Sequence, residues 1–169
     1  MESIREFRTN ELKSYVLGGK WLIDEIVNPT AMTTLLHESV TTYNEEAFDF
    51  LLSQNANWMA RDHNGYTPLL KAASIGHLYM TKQLVEVWGV DPRHKDPYGN
   101  TSLDKAKLFE NYKVVKYLKE VTKKIEDQEK ALEEGVEIPE SELVNQVDWT
   151  NATLYHRGRY RTFIDYKSW

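Results

Sequence analysis

The sequence predicts an all-α fold: a solenoid of about four helix–turn–helix repeats, the first and last atypical, followed by an extended C-terminal helix and an irregular C-terminal arm. Two observations predict it. Similar segments recur at a near-constant interval, since Thr34 and Thr67 are 33 residues apart and Gly65 and Gly99 are 34 apart. Each segment also carries apolar residues at the spacing of two short helices. A unit of this length cannot bury its apolar face alone, so neighbouring units must stack.

The clearest unit spans residues 62–77 and has the sequence DHNGYTPLLKAASIGH. Gly65 stands where a tight turn requires a positive φ, which glycine adopts without strain. The hydroxyl of Thr67 can cap a helix, and Pro68 then takes the first helical position, where a missing N–H costs nothing. Gly76 ends this helix, and a second apolar helix follows it.

Two further copies flank this unit. Residues 96–106, with the sequence DPYGNTSLDKA, repeat the turn and the start of the first helix. Residues 34–62 begin with Thr-Leu-Leu-His and follow the same order upstream. The interval to the later copy is one residue longer, and the extra residue falls near Trp88. Three copies that align at this interval are more specific evidence for a repeat than a single Thr-Pro-Leu motif.

This pattern closely resembles the ankyrin repeat, with the signature D-x-x-G-x-T-P-L-H-x-A-A-x-x-G-H, from which the clearest unit departs only at Leu70. The resemblance covers residues 10 to 120. It implies helix–turn–helix units joined by extended turns, and protein binding through the turn tips and the concave face of the inner helices. It also implies that His37 and His77 are structural residues, which bond backbone groups where repeats meet.

Four segments follow from the resemblance and the composition. The first is an N-terminal capping repeat with helices expected at Asn10–Gly19 and Trp21–Val27, because the terminal repeats of a solenoid are atypical. The segments are residues 1–28 for the capping repeat, 29–120 for the ankyrin repeats, 121–135 for the extension of the last helix, and 136–169 for the C-terminal arm.

The last helix is predicted to continue beyond the repeats. From Tyr112 to Leu132 apolar residues recur at nearly helical spacing, with good helix formers between them. Gly135 is the predicted stop. Because residues 123–134 have little apolar surface, we expect a solvated helix end held by Glu/Lys pairs. The alternative is a lever that positions the arm.

The C-terminal arm is rich in aromatic and basic side chains. Disordered tails are usually poor in aromatics, whereas Trp, Tyr and Arg are enriched at interface hot spots. We therefore expect the arm to dock on a partner, to fold back along the repeats, or to do both. Stacking on nucleic-acid bases is a further option, which the net acidity disfavours. The candidate binding residues of the arm are Trp149, Tyr155, Arg157, Arg159, Tyr160, Arg161, Phe163, Tyr166 and Trp169.

The composition excludes several classes of protein. There is no cysteine, so disulfides, thiolate metal sites and cysteine nucleophiles are excluded. The formal net charge of −5 argues against general nucleic-acid binding. No apolar run approaches the roughly 18–20 residues that span a bilayer, and residues 1–8 carry neither a secretory signal nor a mitochondrial presequence. We therefore expect an intracellular protein, cytoplasmic by default, with a mitochondrial or ciliary assembly also allowed.

The sequence contains no catalytic constellation. Zinc needs three or four converging ligands, but the repeat pattern explains the positions of His63 beside Asp62 and of His94 near Asp91. Residues 18–20, Gly-Gly-Lys, lack the earlier glycine and the following Ser or Thr of a phosphate-binding loop. We therefore expect no catalytic residue, no cofactor and no metal.

Binding residues of the repeats are predicted from the resemblance, at the turn tips and on the inner helices. Tyr66 and Tyr98 are the strongest of them, because exposed aromatics in successive turns form a repeated contact patch. The candidates are His63, Asn64, Tyr66, Lys71 and Ser74 in one repeat, and Arg93, Lys95, Tyr98, Asn100 and Lys105 in the next.

Two functions are consistent with these features, and both make the chain a non-catalytic module that binds proteins. The first is a structural or accessory subunit of a larger multiprotein assembly, for example mitochondrial respiratory or ciliary, docked through the turn tips and the arm. A subunit whose catalytic partner lies on another chain is a version of it. The second is a free regulatory adaptor or inhibitor that binds one protein through the concave face.

Overall fold

A computed structural model describes residues 9–19, 22–138, 153–156 and 159–162. Its helices are α1 Thr9–Leu17, α2 Leu35–Thr41, α3 Glu45–Ser53, α4 Pro68–Ile75, α5 Leu78–Lys82, α6 Ser102–Leu108 and α7 Tyr112–Glu133. The inner helices α2, α4 and α6 stack side by side, and each packs against the outer helix that follows it. The predicted all-α solenoid is therefore confirmed.

The inner helices begin where the sequence predicts. The Thr67 hydroxyl accepts a hydrogen bond from the backbone N–H of Leu70, and Pro68 is the first residue of α4. In the next repeat Thr101 and Asp104 form a capping box, in which each side chain accepts from the backbone N–H of the other residue. These local bonds satisfy N–H groups that a helix start leaves unpaired.

The extra residue near Trp88 takes the form of a π-helical turn. α5 continues into the π-helical segment Gln83–Val87, which ends just before Trp88. One residue inserted into an outer helix is accommodated by widening one turn. Leu84 and Val85, which lie within the widened turn, remain fully buried, so the insertion does not disturb the core.

The N-terminal repeat differs from the prediction. α1 confirms the first predicted helix and packs against α3, in the position of an outer helix. The helix predicted over Trp21–Val27 is wrong for the described residues from 22 on, where a turn leads into strand β1, Ile26–Asn28. β1 pairs antiparallel with β2, Thr33–Thr34. The β-branched pair Ile26 and Val27 favours a strand, and the following proline opposes a helix.

α7 is the longest helix, with 22 residues. Ile125, which lies beyond the length of the other outer helices, is still buried in the core, as is Val121. The chain turns at Gly135, where φ is +74°, so the predicted stop is confirmed. The last turns of α7 are thus partly packed, in addition to carrying the expected exposed pair between Lys130 and Glu134.

The C-terminal arm contains a short β-hairpin that the sequence does not predict. Strands β3, Thr153–His156, and β4, Arg159–Thr162, pair antiparallel with Tyr155 opposite Tyr160. Each strand has only four residues, which is too short for a clear alternating pattern in the sequence.

Candidate functional site

Three extended turns precede the inner helices, and we call them fingers: residues 26–34, 60–67 and 94–101. The second and third have the same internal geometry. In the second, the Asp62 carboxylate accepts hydrogen bonds from the backbone N–H groups of Asn64 and Tyr66, both at 2.9 Å. In the third, the Asp96 carboxylate accepts from the N–H groups of Tyr98 and Asn100, at 2.9 and 2.8 Å. A buried aspartate therefore shapes the second finger and another shapes the third.

The fingers are also bonded to one another. The backbone N–H of His63 donates to the carbonyl oxygen of Ala31 at 2.9 Å, which joins the first finger to the second. The Arg61 guanidinium donates to the carbonyl oxygens of Gly65 and Lys95, which joins the second to the third. The fingers thus form one continuous, preorganised surface.

The tips of the fingers are exposed. Tyr98 is the most exposed large apolar residue of the described chain, at 79%, and Asn64 occupies the same place in the preceding finger. Met32 is 48% exposed and adopts φ +53° at the position of Gly65. Met32 was not among the predicted site residues, although the 33-residue register identifies its position. Lys95 is also exposed.

Lys105 and Tyr66 are not free contact residues. The Lys105 ammonium lies 2.7 Å from the Asp96 carboxylate, and both side chains are buried. The same ammonium lies 4.6 Å from the centre of the Tyr66 ring. The predicted repeated patch of Tyr66 and Tyr98 is therefore wrong, because Tyr66 follows the turn glycine and is half-buried, whereas Tyr98 precedes it and is exposed.

The buried pair shifts the pKa values of both partners. Burial raises the pKa of Asp96, but Lys105 and the hydrogen bonds from Asn100 and Tyr98 outweigh it and lower the pKa to about 2. Burial lowers the pKa of Lys105, whereas Asp96 and Tyr66 raise it, and the net shift is upward. Both groups stay charged at neutral pH, and each stabilises the charge of the other.

The other predicted residues of the repeats have mixed surroundings. The Ser74 hydroxyl donates to the carbonyl oxygen of Lys71 and is buried, while the Lys71 side chain is half-buried. The Asn100 amide donates to Asp96. The His63 ring contacts the Ala31 carbonyl at 3.1 Å.

Arg93 is bound to two carboxylates. Its guanidinium donates to Glu129 at 2.7 Å through both terminal nitrogens and also to Asp91. Glu129 and Asp91 raise the pKa of Arg93 above its usual value. Arg93 therefore ties α7 to the loop before the third finger, and it is not available as a free contact residue.

The predicted residues of the arm fall into two groups. Tyr155, Arg159, Tyr160 and Arg161 lie in the hairpin of β3 and β4. The others lie outside the described residues: Trp149, Arg157, Phe163, Tyr166 and Trp169.

His37 bonds a backbone group across a repeat junction, as predicted, whereas His77 bonds a backbone group within its own repeat. His37 Nε2 donates to the Tyr66 carbonyl of the next repeat at 2.9 Å, and Nδ1 faces the backbone N–H of Thr34. His77 accepts a hydrogen bond from the N–H of Met80 and so caps α5. Across residues 9–19 and 22–138, no group of three His, Asp or Glu residues is arranged to hold a metal ion. No helix of the described chain is long and apolar enough to cross a membrane.

Known proteins share the repeat region of this chain. A family model described as ankyrin repeats (3 copies) matches residues 36–129. The potassium channel GORK of Arabidopsis thaliana is 44% identical over 71 residues, which are 42% of this chain and 8% of the channel. A putative glutaminase 2 of Caenorhabditis elegans is 38% identical over 80 residues, 47% of this chain and 13% of that protein. The mitochondrial liver isoform of glutaminase from Mus musculus is 40% identical over 60 residues, 36% of this chain and 10% of the enzyme.

The matched part is therefore between 8% and 13% of these relatives' length. Such short matches are no evidence for channel or glutaminase activity in this chain. What this chain shares with the relatives is a repeat, and a repeat of this kind is a protein-binding scaffold.

Proposed function

We propose, from the fact that this chain belongs to the ankyrin-repeat family, that it is a non-catalytic accessory subunit of a larger protein assembly. Ankyrin repeats are protein–protein interaction modules. The subunit docks on one partner through the finger tips, and its C-terminal arm contacts another. A mitochondrial respiratory complex and a ciliary assembly are two possible settings.

The observation that carries this proposal is the rigid row of finger tips. Met32, Asn64 and Tyr98 stand at the tips of three fingers that are hydrogen-bonded to one another. A preorganised surface loses little conformational entropy on binding, and an exposed tyrosine is a common interface anchor. Lys95 adds a positive charge beside Tyr98.

The alternative function, a free adaptor that binds through the concave face, has less support. Glu38, Lys71 and Lys105 occupy equivalent positions on the inner helices. Glu38 accepts a hydrogen bond from Thr33, and Lys105 is bound to Asp96. Of these three side chains, only Lys71 forms neither a hydrogen bond nor an ion pair within the described residues. The concave face therefore offers fewer free side chains than the finger tips.

Affinity capture from a native extract with four baits tests the proposal. The baits are the full chain, a chain ending at Gly135, a full chain with Met32→Ser and Tyr98→Ser, and a control with Leu132→Ser, which removes an exposed apolar side chain from α7. We expect the full chain and the control to recover the same set of proteins. The tip variant should lose one partner and the shortened chain another. If the full and shortened chains recover the same single protein, the adaptor function replaces the proposal.

A further inference from the structure

The last repeat ends in an exposed apolar patch. Leu108, Phe109 and Tyr112, which we call the end patch, are 69%, 53% and 74% exposed. In the preceding repeat the equivalent positions hold residues that are buried or half-buried beneath the last repeat: Ser74, Ile75 and Leu78.

The preceding junction shows what the last repeat lacks. There the Asn111 amide donates to the carbonyl oxygens of Ala73 and Ser74, at 2.9 and 2.8 Å. The equivalent carbonyls belong to Lys107 and Leu108, and no side-chain amide of the described residues reaches them. The solenoid therefore stops at a junction that no further repeat in the described chain covers.

A row of lysines continues from the end patch along α7. Lys116, Lys119 and Lys123 follow Tyr112 by four, seven and eleven residues, a spacing that places all four on one face of a helix. The three lysines are exposed, and within the described residues they form no ion pair. We call them the lysine row.

The distal half of α7 has the opposite charge on the same face. Glu126 and Asp127 follow Lys123 by three and four residues, and Glu133 and Glu134 lie about two turns further on. Lys130 lies on the same face, where it forms an ion pair with Glu134 of its own chain. These carboxylates are exposed. Between residues 113 and 124 the chain carries five lysines and one glutamate, whereas between 126 and 134 it carries five acidic residues and one lysine.

We propose that α7 is a self-association surface that pairs antiparallel with α7 of a second copy of this chain. An antiparallel pair places the lysine row of each copy against the carboxylates after Lys123 in the other. The surface is therefore self-complementary, as a two-fold interface requires. The same arrangement brings the end patch of one copy to the end of α7 in the other, where Val136 is 53% exposed, and so covers apolar surface at both ends.

Charge favours this occupant over the alternatives. The chain has a net charge of −5, so an anionic membrane would repel most of the molecule even if it attracted the lysine row. A wholly acidic partner would pair with the lysine row but would be repelled by the distal half of α7. A second copy matches both halves at once.

The test compares charge-reversed full-length chains by sedimentation velocity. The first variant carries Lys116→Glu and Lys119→Glu, and the second carries Glu126→Lys and Asp127→Lys. We call these two the on-row variants, because all four positions lie on the helix face of the lysine row. The matched control carries Lys113→Glu and Lys124→Glu, which change the charge equally on positions about 100° or more around the helix from Tyr112. Circular dichroism of each variant checks that the helices are retained.

We expect the natural chain to form a dimer that dissociates on dilution and weakens in high salt, because its ion pairs are exposed. Each on-row variant should weaken the dimer about tenfold or more, equivalent to 1.4 kcal/mol. The control should weaken it far less. A mixture of the two on-row variants should form a heterodimer, because the reversed charges complement each other again.

Several results would overturn the proposal. A natural chain that stays monomeric at all concentrations excludes the dimer. The end patch would then be left for a membrane or another protein to cover. A control as defective as the on-row variants shows a general charge effect. On-row variants that dimerise normally place the interface elsewhere. A mixture that fails to dimerise excludes the antiparallel pairing of α7.

Discussion

Lys105 and Asp96 form a buried ion pair beneath the third finger, with 2.7 Å between Nζ and a carboxylate oxygen. The same carboxylate accepts the N–H groups of Tyr98 and Asn100, which shape the turn. The ion pair therefore connects α6 to the finger that carries the exposed Tyr98. Lys105, which the sequence predicts to be a surface contact residue, instead supports the geometry of the proposed binding tip.

Replacing Lys105 by Met should destabilise the protein by about 3 kcal/mol, because a buried carboxylate loses its charged partner. Urea denaturation followed by circular dichroism measures the loss. The control is Lys107→Met, which removes an exposed lysine from the same helix and should change stability by less than about 0.5 kcal/mol. Equal effects of the two substitutions would contradict a special role for the buried pair.

The His37 ring should make the protein sensitive to mild acid. Burial lowers the pKa of His37 below its usual value of 6.5, despite the hydrogen bond to Tyr66. A lowered pKa in the folded state means that the neutral ring contributes stability above pH 6.5. That contribution is lost as the pH falls through 6.5 towards the folded pKa.

His37→Leu tests this dependence, because Leu70 occupies the same position in the next repeat and is fully buried. At pH 7.5 the substitution should cost about 1–3 kcal/mol, since the Thr34 N–H and the Tyr66 carbonyl each lose a partner. Between pH 7.5 and 5 the difference in unfolding free energy between the two proteins should shrink. Parallel pH profiles from urea titrations would exclude His37 as a source of the acid sensitivity.

The sequence predicts best the parts of the fold that depend on local chemistry. The start of α4 at Pro68 depends on a capping hydroxyl one residue away, and the end of α7 depends on Gly135. Both are found where they are predicted. The N-terminal repeat was partly mispredicted, because Ile26 and Val27 fit either an apolar helix face or a strand, and only pairing with Thr33 and Thr34 decides between them.

The candidate site was harder to predict, because its residues are defined by contacts distant in the sequence. Arg93 is bound by Glu129, 36 residues further on. Lys105 is covered by the Tyr66 ring of the preceding repeat. A sequence shows that a lysine or arginine can be exposed, but not which carboxylate reaches it. Tyr98 was predicted correctly as an exposed residue because its position at the turn tip is a local property.

Alanine substitutions at Gly65 and Gly99 should separate the energetic cost of backbone strain in a finger from the cost of a steric clash. Both glycines have a positive φ, +75° and +84°. A Cβ at Gly65 would lie 2.4 Å from the Pro97 ring, whereas nothing lies within 4 Å of a Cβ at Gly99. Gly99→Ala should cost about 1–2 kcal/mol, the strain of a left-handed conformation. Gly65→Ala should cost about 1–3 kcal/mol more, because Pro97 must move.

Urea denaturation of both variants measures the difference, and each is the control for the other. Because a Met stands at the equivalent position 32 with φ +53°, the left-handed conformation alone cannot prevent folding. If the two alanine variants are equally stable, the contact between Pro97 and Gly65 does not constrain the fingers.

Removal of the Arg93 side chain should loosen the distal half of α7. Its guanidinium holds Glu129 through two hydrogen bonds of 2.7 Å, and the next buried residue towards the N-terminus of α7 is Ile125. Because the pair is partly exposed, Arg93→Ala should lower global stability by only about 0.5–1 kcal/mol. Amide hydrogen exchange measured by mass spectrometry should speed up in residues 126–134 and stay unchanged in residues 112–121. Lys130→Ala, which breaks the exposed pair with Glu134, is the control and should leave hydrogen exchange in residues 112–121 and 126–134 nearly unchanged.

Faster exchange along the whole of α7 would contradict this prediction. It would show that Arg93 supports the repeat itself and not the helix extension.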